Sequence, residues 1–293
     1  MKLFGKEHYI TSFSAKNKPK FFVDLGETFQ VETHDCYGGA FTNESQLRTS
    51  VSIDYINPAT GPIYINDVKK GDILCIEVKN IELDSQGVMV LYPGMGTLGD
   101  KVKVEDTKII PIVENTAYFS QHLQFQVQPM IGVIGVAPLN GEVLCESPGD
   151  HGGNMDTKYI TSGNKLYLPV YHDGAYLALG DLHAAMGDGE LDGSGIEIGG
   201  KVTLKVTRKE KQPLSLPIVE TKESFMFIAS EKTVEKASEK GMVAAVEAIQ
   251  KKQSLTFNDA YRLLSALCDI QISQLVNPLV TIRINVPKYL LHN

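Results

Sequence analysis

Val68-Lys-Lys-Gly-Asp-Ile-Leu-Cys-Ile-Glu-Val-Lys-Asn-Ile-Glu-Leu83 is the stretch that decides the fold. Gly71-Asp72 supplies a turn, and apolar and β-branched residues then intersperse with Glu, Lys and Asn. That is a strand pattern rather than the 3.6-residue stripe of a helix. Ile73 and Cys75, then Ile76 and Val78, move the apolar set from one face to the other, which predicts a bulge or a strong twist between them.

The same logic extends in both directions. Phe21-Phe-Val-Asp-Leu25 and Thr28-Phe-Gln-Val-Glu-Thr33 precede it with aromatic and β-branched enrichment, and Lys201-Val-Thr-Leu-Lys-Val-Thr207 follows with clean alternation. Gln128-Pro-Met-Ile-Gly-Val-Ile-Gly-Val-Ala-Pro138 is apolar, with Gly132 and Gly135 inside it. Gly and Pro both weaken helices, so this reads as a buried strand with close backbone approach. Tyr92-Pro-Gly-Met-Gly-Thr-Leu-Gly99 lacks phosphate-loop spacing and reads as a loop near a site or an ordered surface turn. Arg208-Lys-Glu-Lys211 reads as a solvated turn.

After residue 211 the pattern changes. Val234, Ala237, Met242, Ala245, Val246 and Ile249 recur at mostly helical spacing, predicting a helix over 233–252. Ser254-Leu-Thr-Phe-Asn-Asp offers caps for a second helix over 260–273, and Thr281-Ile-Arg-Ile-Asn-Val-Pro287 returns to β. The expected fold is mainly β and antiparallel with two appended C-terminal helices, α+β overall. A body over 1–210 and a helical hairpin plus terminal strand over 211–293 are expected to pack as one compact unit.

The 293 residues carry 43% hydrophobic and 22% charged side chains and a net charge of −7, ordinary for a soluble globular chain. No basic run suggests a nucleic-acid partner, and no apolar run approaches the roughly 18 residues of a membrane span. The N-terminus lacks a secretory apolar region. Cys36, Cys75, Cys145 and Cys268 stand singly, against finger-type zinc and in favour of reduced thiols in a cytoplasmic protein.

The chemistry concentrates between His151 and Glu190, where three His, four Asp, one Glu and seven Gly interleave with Leu166-Tyr-Leu-Pro-Val-Tyr171. A core segment absorbs so many ionisable groups only with strong compensation. Asp181-Leu-His183, on an extended strand, puts a carboxylate and an imidazole on one face, a ligand pair for a cation such as zinc. Asp188 and Glu190 repeat the two-residue relation and could close the site or act as its general base. His151, Asn154 and Asp156 flank Gly152-Gly153, whose freedom of φ lets backbone N–H groups approach a ligand; the same residues also suit a tight turn. Thr33-His34-Asp35-Cys36-Tyr37-Gly38-Gly39 follows a strand and enters a turn, where Asp35 is equally an Asx residue and Cys36 either a nucleophile or a small buried side chain. His172 reads as part of a hairpin turn, and His8, His122 and His292 have no company that singles them out.

Together the three clusters resemble the acetamidase/formamidase family. The matching text is Glu32-Thr-His-Asp-Cys-Tyr-Gly-Gly39, then Ile131-Gly-Val-Ile-Gly-Val-Ala-Pro138. His151-Gly-Gly-Asn-Met-Asp156 follows, through Leu166-Tyr-Leu-Pro-Val170 to Gly180-Asp-Leu-His-Ala-Ala-Met-Gly-Asp-Gly-Glu190. The resemblance implies a β-sandwich-like body, a metal-bearing site, commonly a homo-oligomer, and hydrolysis of short aliphatic amides such as formamide and acetamide. It carries His34, Asp35, His151, Asp156, Asp181 and His183 over as metal-site residues. Tyr159 and Met186 depart from the pattern and bear on substrate preference.

The expected mechanism uses zinc, with room for a second divalent cation such as calcium. Glu190 is the expected proton carrier with Asp188 as substitute, Asn154 and the Gly152 and Gly153 amides bind the oxyanion, and Met186 and Tyr37 line a small pocket. Two rivals are a non-catalytic β module binding calcium or carbohydrate, and a cysteine amidase using Cys36.

Overall fold

The computed structural model describes residues 1–211 and 214–291; His292 lies outside them. Two large, mostly antiparallel sheets form the body. The first runs Lys2–Phe4, Thr28–Thr33, Gly200–Lys209, Ile73–Leu83, Lys165–Pro169, Ile218–Glu220, Ser224–Glu231, Val280–Pro287 and Asp269–Gln274. The second runs Gln124–Gln126, Thr116–Tyr118, Asp106–Val113, Gln86–Leu91, Glu197–Ile198, Leu177–His183, Met130–Gly135, Gly152–Asn154 and Pro148–Gly149. Ala59–Ile65 joins it alongside Leu177–His183.

The core sits between the sheets. Phe29, Val31, Leu74, Ile76, Val202 and Leu204 from the first meet Ile131, Ile134, Leu177 and Leu179 from the second in one buried cluster. Burying each such side chain contributes about 1.5–3 kcal/mol relative to exposure. Thr28–Thr33 shows why the strands take this register: Phe29, Val31 and Thr33 are buried while the residues between them are partly exposed.

The expected face shift between Cys75 and Ile76 has a different cause. Leu74 and Ile76 enter the core between the sheets, while Ile73 and Cys75 pack with Tyr167 on the other face. Both faces of this half of the strand are covered, so it carries apolar residues without alternation. The bulge itself lies further on: Thr203 pairs with Asn80 and Leu204 with Val78, leaving Lys79 as the extra residue.

Helix α1 (Val234–Gln253) and helix α2 (Phe257–Leu267) are capped by Thr233 and Thr256, whose side chains accept from the N–H of Lys236 and Asp259. Ala237, Ala245, Val246 and Ile249 of α1 and Ala260 and Leu264 of α2 pack with Phe227, Ala229, Ile282 and Ile284 of the first sheet. Helix α2 stops at Leu267 instead of running to Ser273, because Asp269–Gln274 pairs antiparallel with Val280–Pro287. Ile270 and Ile272 alternate with Gln271 and Ser273, a period of two that the helical reading overlooked. The strands after residue 211 extend the first sheet through the pairing of Ile218–Glu220 with Lys165–Pro169.

Candidate active site

Leu177–His183 pairs with Met130–Gly135 on one side, with Met130 opposite His183 and Val133 opposite Gly180, and Glu197 pairs with His183 on the other. Asp181 has φ 55°, and its Oδ1 lies 3.5 Å from His183 Nε2. Beyond Gly152–Asn154 the chain turns at Asp156, φ 42°, whose N–H donates to the Gly132 carbonyl at 3.3 Å. Asp156 Oδ1 lies 4.0 Å from the same imidazole nitrogen. A Cβ at position 132 would stand 2.5 Å from Asp156 Oδ1 and 2.7 Å from Asp181 Oδ2, so glycine is what leaves room for the two carboxylates.

Glu190 (φ 47°) and Asn57 (φ 55°) also hold left-handed backbone. Four non-glycine residues in that conformation, each costing on the order of 1 kcal/mol, persist only where the surroundings over-determine them. Such clustering is a mark of functional sites.

Asp156, Asp181, His183, Glu190 and Glu197 are all buried. Ligand-type atoms of Asp156, His183 and Glu190 lie within 4.8 Å of one another, as do those of Cys36, Asp181 and Glu197. Asparagines hold the carboxylates. Asn277 Nδ2 donates to Asp156 Oδ2 at 2.6 Å, and Asn57 Nδ2 donates to Asp181 Oδ2 at 3.2 Å. The Asn154 amide satisfies its neighbours only with its nitrogen toward Asp156 and Asp181 and its oxygen toward Asn277 and Asn57. Glu197 Oε1 accepts from Ser194 Oγ at 3.1 Å and the Gly195 N–H at 2.9 Å.

What is left over is informative. Asp181 Oδ1, both nitrogens of His183, Glu190 Oε2 and Glu197 Oε2 are buried without a hydrogen-bond partner. The carboxylate oxygens and the imidazole Nε2, unpartnered and close together, make up a donor set that a divalent cation would take. Without a cation, burial pushes Asp156 up to about 6, with the Asp181 charge adding to it, and burial pushes Glu197 up to about 8. Burial and the neighbouring Asp156 hold Glu190 well above the usual carboxylate range. Burial opposes charge on His183, but Glu197 and Asp181 outweigh it and raise the imidazole well above its ordinary value. The residues fit a metal ion.

Of this group, Asp181, Glu190 and Glu197 line a cavity of about 380 Å³, joined by Asn154, Cys36, Tyr37, Ile56, Asn57, Tyr92, Met95 and Asn277. The glycine-rich 92–99 loop is thus a wall of the site. Of the six residues expected to hold metal, the structure brings together Asp156, Asp181 and His183. His34 stands apart, half-buried with its ring edge-on to Tyr9. Asp35 spends one oxygen on the N–H groups of Tyr37 and Gly39, the Asx geometry of its turn. His151 is buried edge-on to Phe13, and burial lowers it to about 4.

Of the two expected proton carriers, only Glu190 lines this cavity. Asp188 turns away to Arg283 and Lys158, at 2.6 and 3.1 Å. Asn154 and Tyr37 line the cavity, whereas Gly152 and Gly153 pack backbone against backbone, where added Cβ atoms would stand 2.3 Å from the carbonyls of Ile134 and Ser147. Met186 lines a neighbouring groove of about 790 Å³ with Phe125 and Leu191; Glu190 borders both spaces. Burial pushes the Cys36 thiol well above its ordinary value, with Glu197 and Asp181 adding to the effect. That environment suppresses a thiolate nucleophile.

Sequence reasoning missed Glu197, Asn57 and Asn277. Ile196-Glu197-Ile198 is a carboxylate inside a short buried strand, a readable anomaly. Asn57-Pro58 and Asn277-Pro278 look like ordinary turn dipeptides, and nothing local distinguishes them from others.

A two-sheet β body with a buried acid–imidazole centre at the end of a cavity defines the class of protein. The sequence matches the model of the acetamidase/formamidase family over residues 17–147 and 143–292, and the chain belongs to that family. The structure is similar to an acetamidase from Bacillus halodurans, with 42% identity, a TM-score of 0.96 and coverage of 98% of this chain and 97% of that one. A protein described as a predicted acetamidase/formamidase from Thermoanaerobacter tengcongensis gives 40% identity, the same TM-score of 0.96 and coverage of 99% and 96%. A formamidase from Methylophilus methylotrophus is 26% identical over 244 residues, 63% of this chain and 60% of that protein. The chain therefore spans under two thirds of the length of the curated formamidases it matches.

Proposed function

We propose that this chain hydrolyses short aliphatic amides, formamide and acetamide among them, to ammonia and the carboxylate, with a bound divalent cation. The observation that carries this reading is the convergence of unpartnered atoms of Asp181, His183, Glu190 and Glu197 beside the cavity. Family membership supports the reaction class.

Asp156, Asp181 and His183 would hold the cation with Glu197, and the acid-rich donor set leaves room for a second ion such as calcium beside zinc. Such a cation supplies Lewis acidity, polarising the amide carbonyl and lowering the pKa of water from about 15.7 to about 7. Asn57, Asn154 and Asn277 keep the Asp156 and Asp181 carboxylates oriented, a job that occupies the Asn154 amide. Glu190, which lines the cavity and has one oxygen without a hydrogen-bond partner, takes a proton from the attacking water and delivers it to the nitrogen as the C–N bond breaks. Tyr37, Ile56, Tyr92 and Met95 bound the acyl side.

A homo-oligomer belongs to this reading, supported by the exposed Leu123, Phe125 and Leu191 beside the second groove. A cytoplasmic site of action is supported by four unpaired cysteines. Among the described residues no helix is long and apolar enough to cross a membrane. The test is ammonia release from formamide, acetamide, propionamide and urea, with and without chelator. Chelator-sensitive release from the short amides supports the reading. Chelator-resistant, thiol-reagent-sensitive release would transfer the reaction to Cys36, and no release from any amide would leave a binding module.

A further inference from the structure

The loop that carries Glu190 delivers a carboxylate in left-handed backbone to a crowded site. The C-terminal hairpin, Asp269–Gln274 with Val280–Pro287, accounts for this. The Gly189 N–H donates to the Ser273 carbonyl at 2.8 Å, and the Leu275 N–H donates to the Gly189 carbonyl at 3.1 Å. Beside this bridge lies Arg283, 0% exposed. Its Nη2 donates to Asp188 Oδ2 at 2.6 Å, its Nη1 to the Ile272 carbonyl at 2.7 Å and Ser273 Oγ at 3.2 Å, and its Nε to Gln271 Oε1 at 3.0 Å. The guanidinium carbon stands 5.0 Å over the Tyr159 ring.

Stability alone does not explain a fully buried arginine between Ile282 and Ile284. Desolvating the charge is expensive, and well-packed apolar replacements of buried ion pairs are often neutral or stabilising. What the planar fork adds is geometry, since it fixes several acceptors at once. Here those acceptors are Asp188, two residues before Glu190, and the Ile272–Ser273 segment that receives Gly189. The same hairpin reaches Asp156: Ser273 Oγ lies 2.8 Å from Thr157 Oγ1, and Asn277 donates to the Asp156 carboxylate.

We propose that Arg283 is a positioning residue for Glu190, tying Asp188 to the C-terminal hairpin on either side of the Gly189 bridge. The functional half of this inference rests on the amidase reading above. Misplacing a reacting group by about 1 Å costs on the order of 100-fold. In the metal-loaded enzyme, Asp188→Asn and Arg283→Lys should lower kcat by about 10- to 100-fold with KM changed less than about 3-fold. Hydrogen exchange across residues 186–195 should quicken in both while the strands of the second sheet keep their protection. Asp188→Asn keeps an acceptor for Arg283 on a side chain that is 36% exposed but removes the charge opposite it, so a folding cost is expected, and exchange is read well below the unfolding transition with the second-sheet strands as internal control. Unchanged exchange in the 186–195 loop of Asp188→Asn overturns the proposal whatever the kinetics. A loss beyond about 1,000-fold without faster exchange would instead make Asp188 itself the proton carrier. If the wild type releases no ammonia from any amide, the amidase reading fails separately, and the exchange measurement still decides the tie.

Discussion

His183 Nε2 and Glu197 Oε2 lie 3.2 Å apart, both buried, and neither has a hydrogen-bond partner of good geometry. Glu197 reaches this position because its other oxygen is fixed by Ser194 and Gly195. Gly195 is tight against the imidazole: a Cβ there would stand 2.6 Å from His183 Cγ. The pair is therefore locked in place facing one point, and a cation at that point would satisfy both atoms.

Glu197→Gln keeps the size of the side chain and an oxygen for the Ser194 and Gly195 donors while removing the charge. Zinc affinity, read by calorimetric titration of the metal-free protein, should fall by more than the roughly 10- to 100-fold seen when groups that only orient metal ligands are altered. Affinity equal to wild type would remove Glu197 from the site.

His183→Ala takes away the one imidazole in the group. Metal content after purification should fall well below one equivalent, and ammonia release should fall by more than about 100-fold. Wild-type metal content together with wild-type activity would sink the metal assignment altogether.

Gly132→Ala tests the crowding of the two aspartates. The added Cβ would lie 2.5 and 2.7 Å from their oxygens, so one or both carboxylates must move. Overpacking of this kind costs about 1–3 kcal/mol, and urea titration should show it. Activity should drop with it, because Asp156 and Asp181 are displaced together. Activity and stability both at wild-type level would show that the cradle has slack.

How much of this was legible in the sequence differs from element to element. Strands such as Thr28–Thr33 and Gly200–Lys209 announce themselves by alternation, and α1 by its spacing. Asp269–Gln274 was hidden because a short alternating run directly after a helix looks like its continuation. The Asp181–His183 pair was readable as a two-residue spacing on a strand, although Asp181's left-handed φ of 55° breaks the pleat there and the local turn of the backbone, not regular alternation, sets their approach. That logic fails for Asp188 and Glu190, which also stand two apart but lie in a loop: Asp188 pairs with Arg283 and Lys158, while Glu190, at φ 47° after Gly189 at φ 99°, borders the cavity. Glu197 was marked locally by a carboxylate between two isoleucines, whereas Asn277 enters the site through tertiary pairing, which no local pattern encodes.

His151 gives the last prediction. The sequence makes it a metal-site candidate, whereas the fold buries it at 3% exposure against Phe13 with Nε2 unpartnered. Burial lowers its pKa to about 4, against about 6.5 when unfolded. Both states carry it neutral above about pH 6.5, so its contribution to stability is whole there. As pH falls from about 6.5 toward 4 the unfolded chain takes up the proton first, and stability is lost until the folded-state value is passed. Between about pH 7 and pH 5 this amounts to about 2 kcal/mol. In urea titrations of the metal-free protein, His151→Asn should lose less stability over that interval than wild type by about this amount, since every other titrating group is common to both. Zinc affinity should be unaffected. Parallel stability curves would refute the buried neutral imidazole, and a loss of metal from the variant would return His151 to the site.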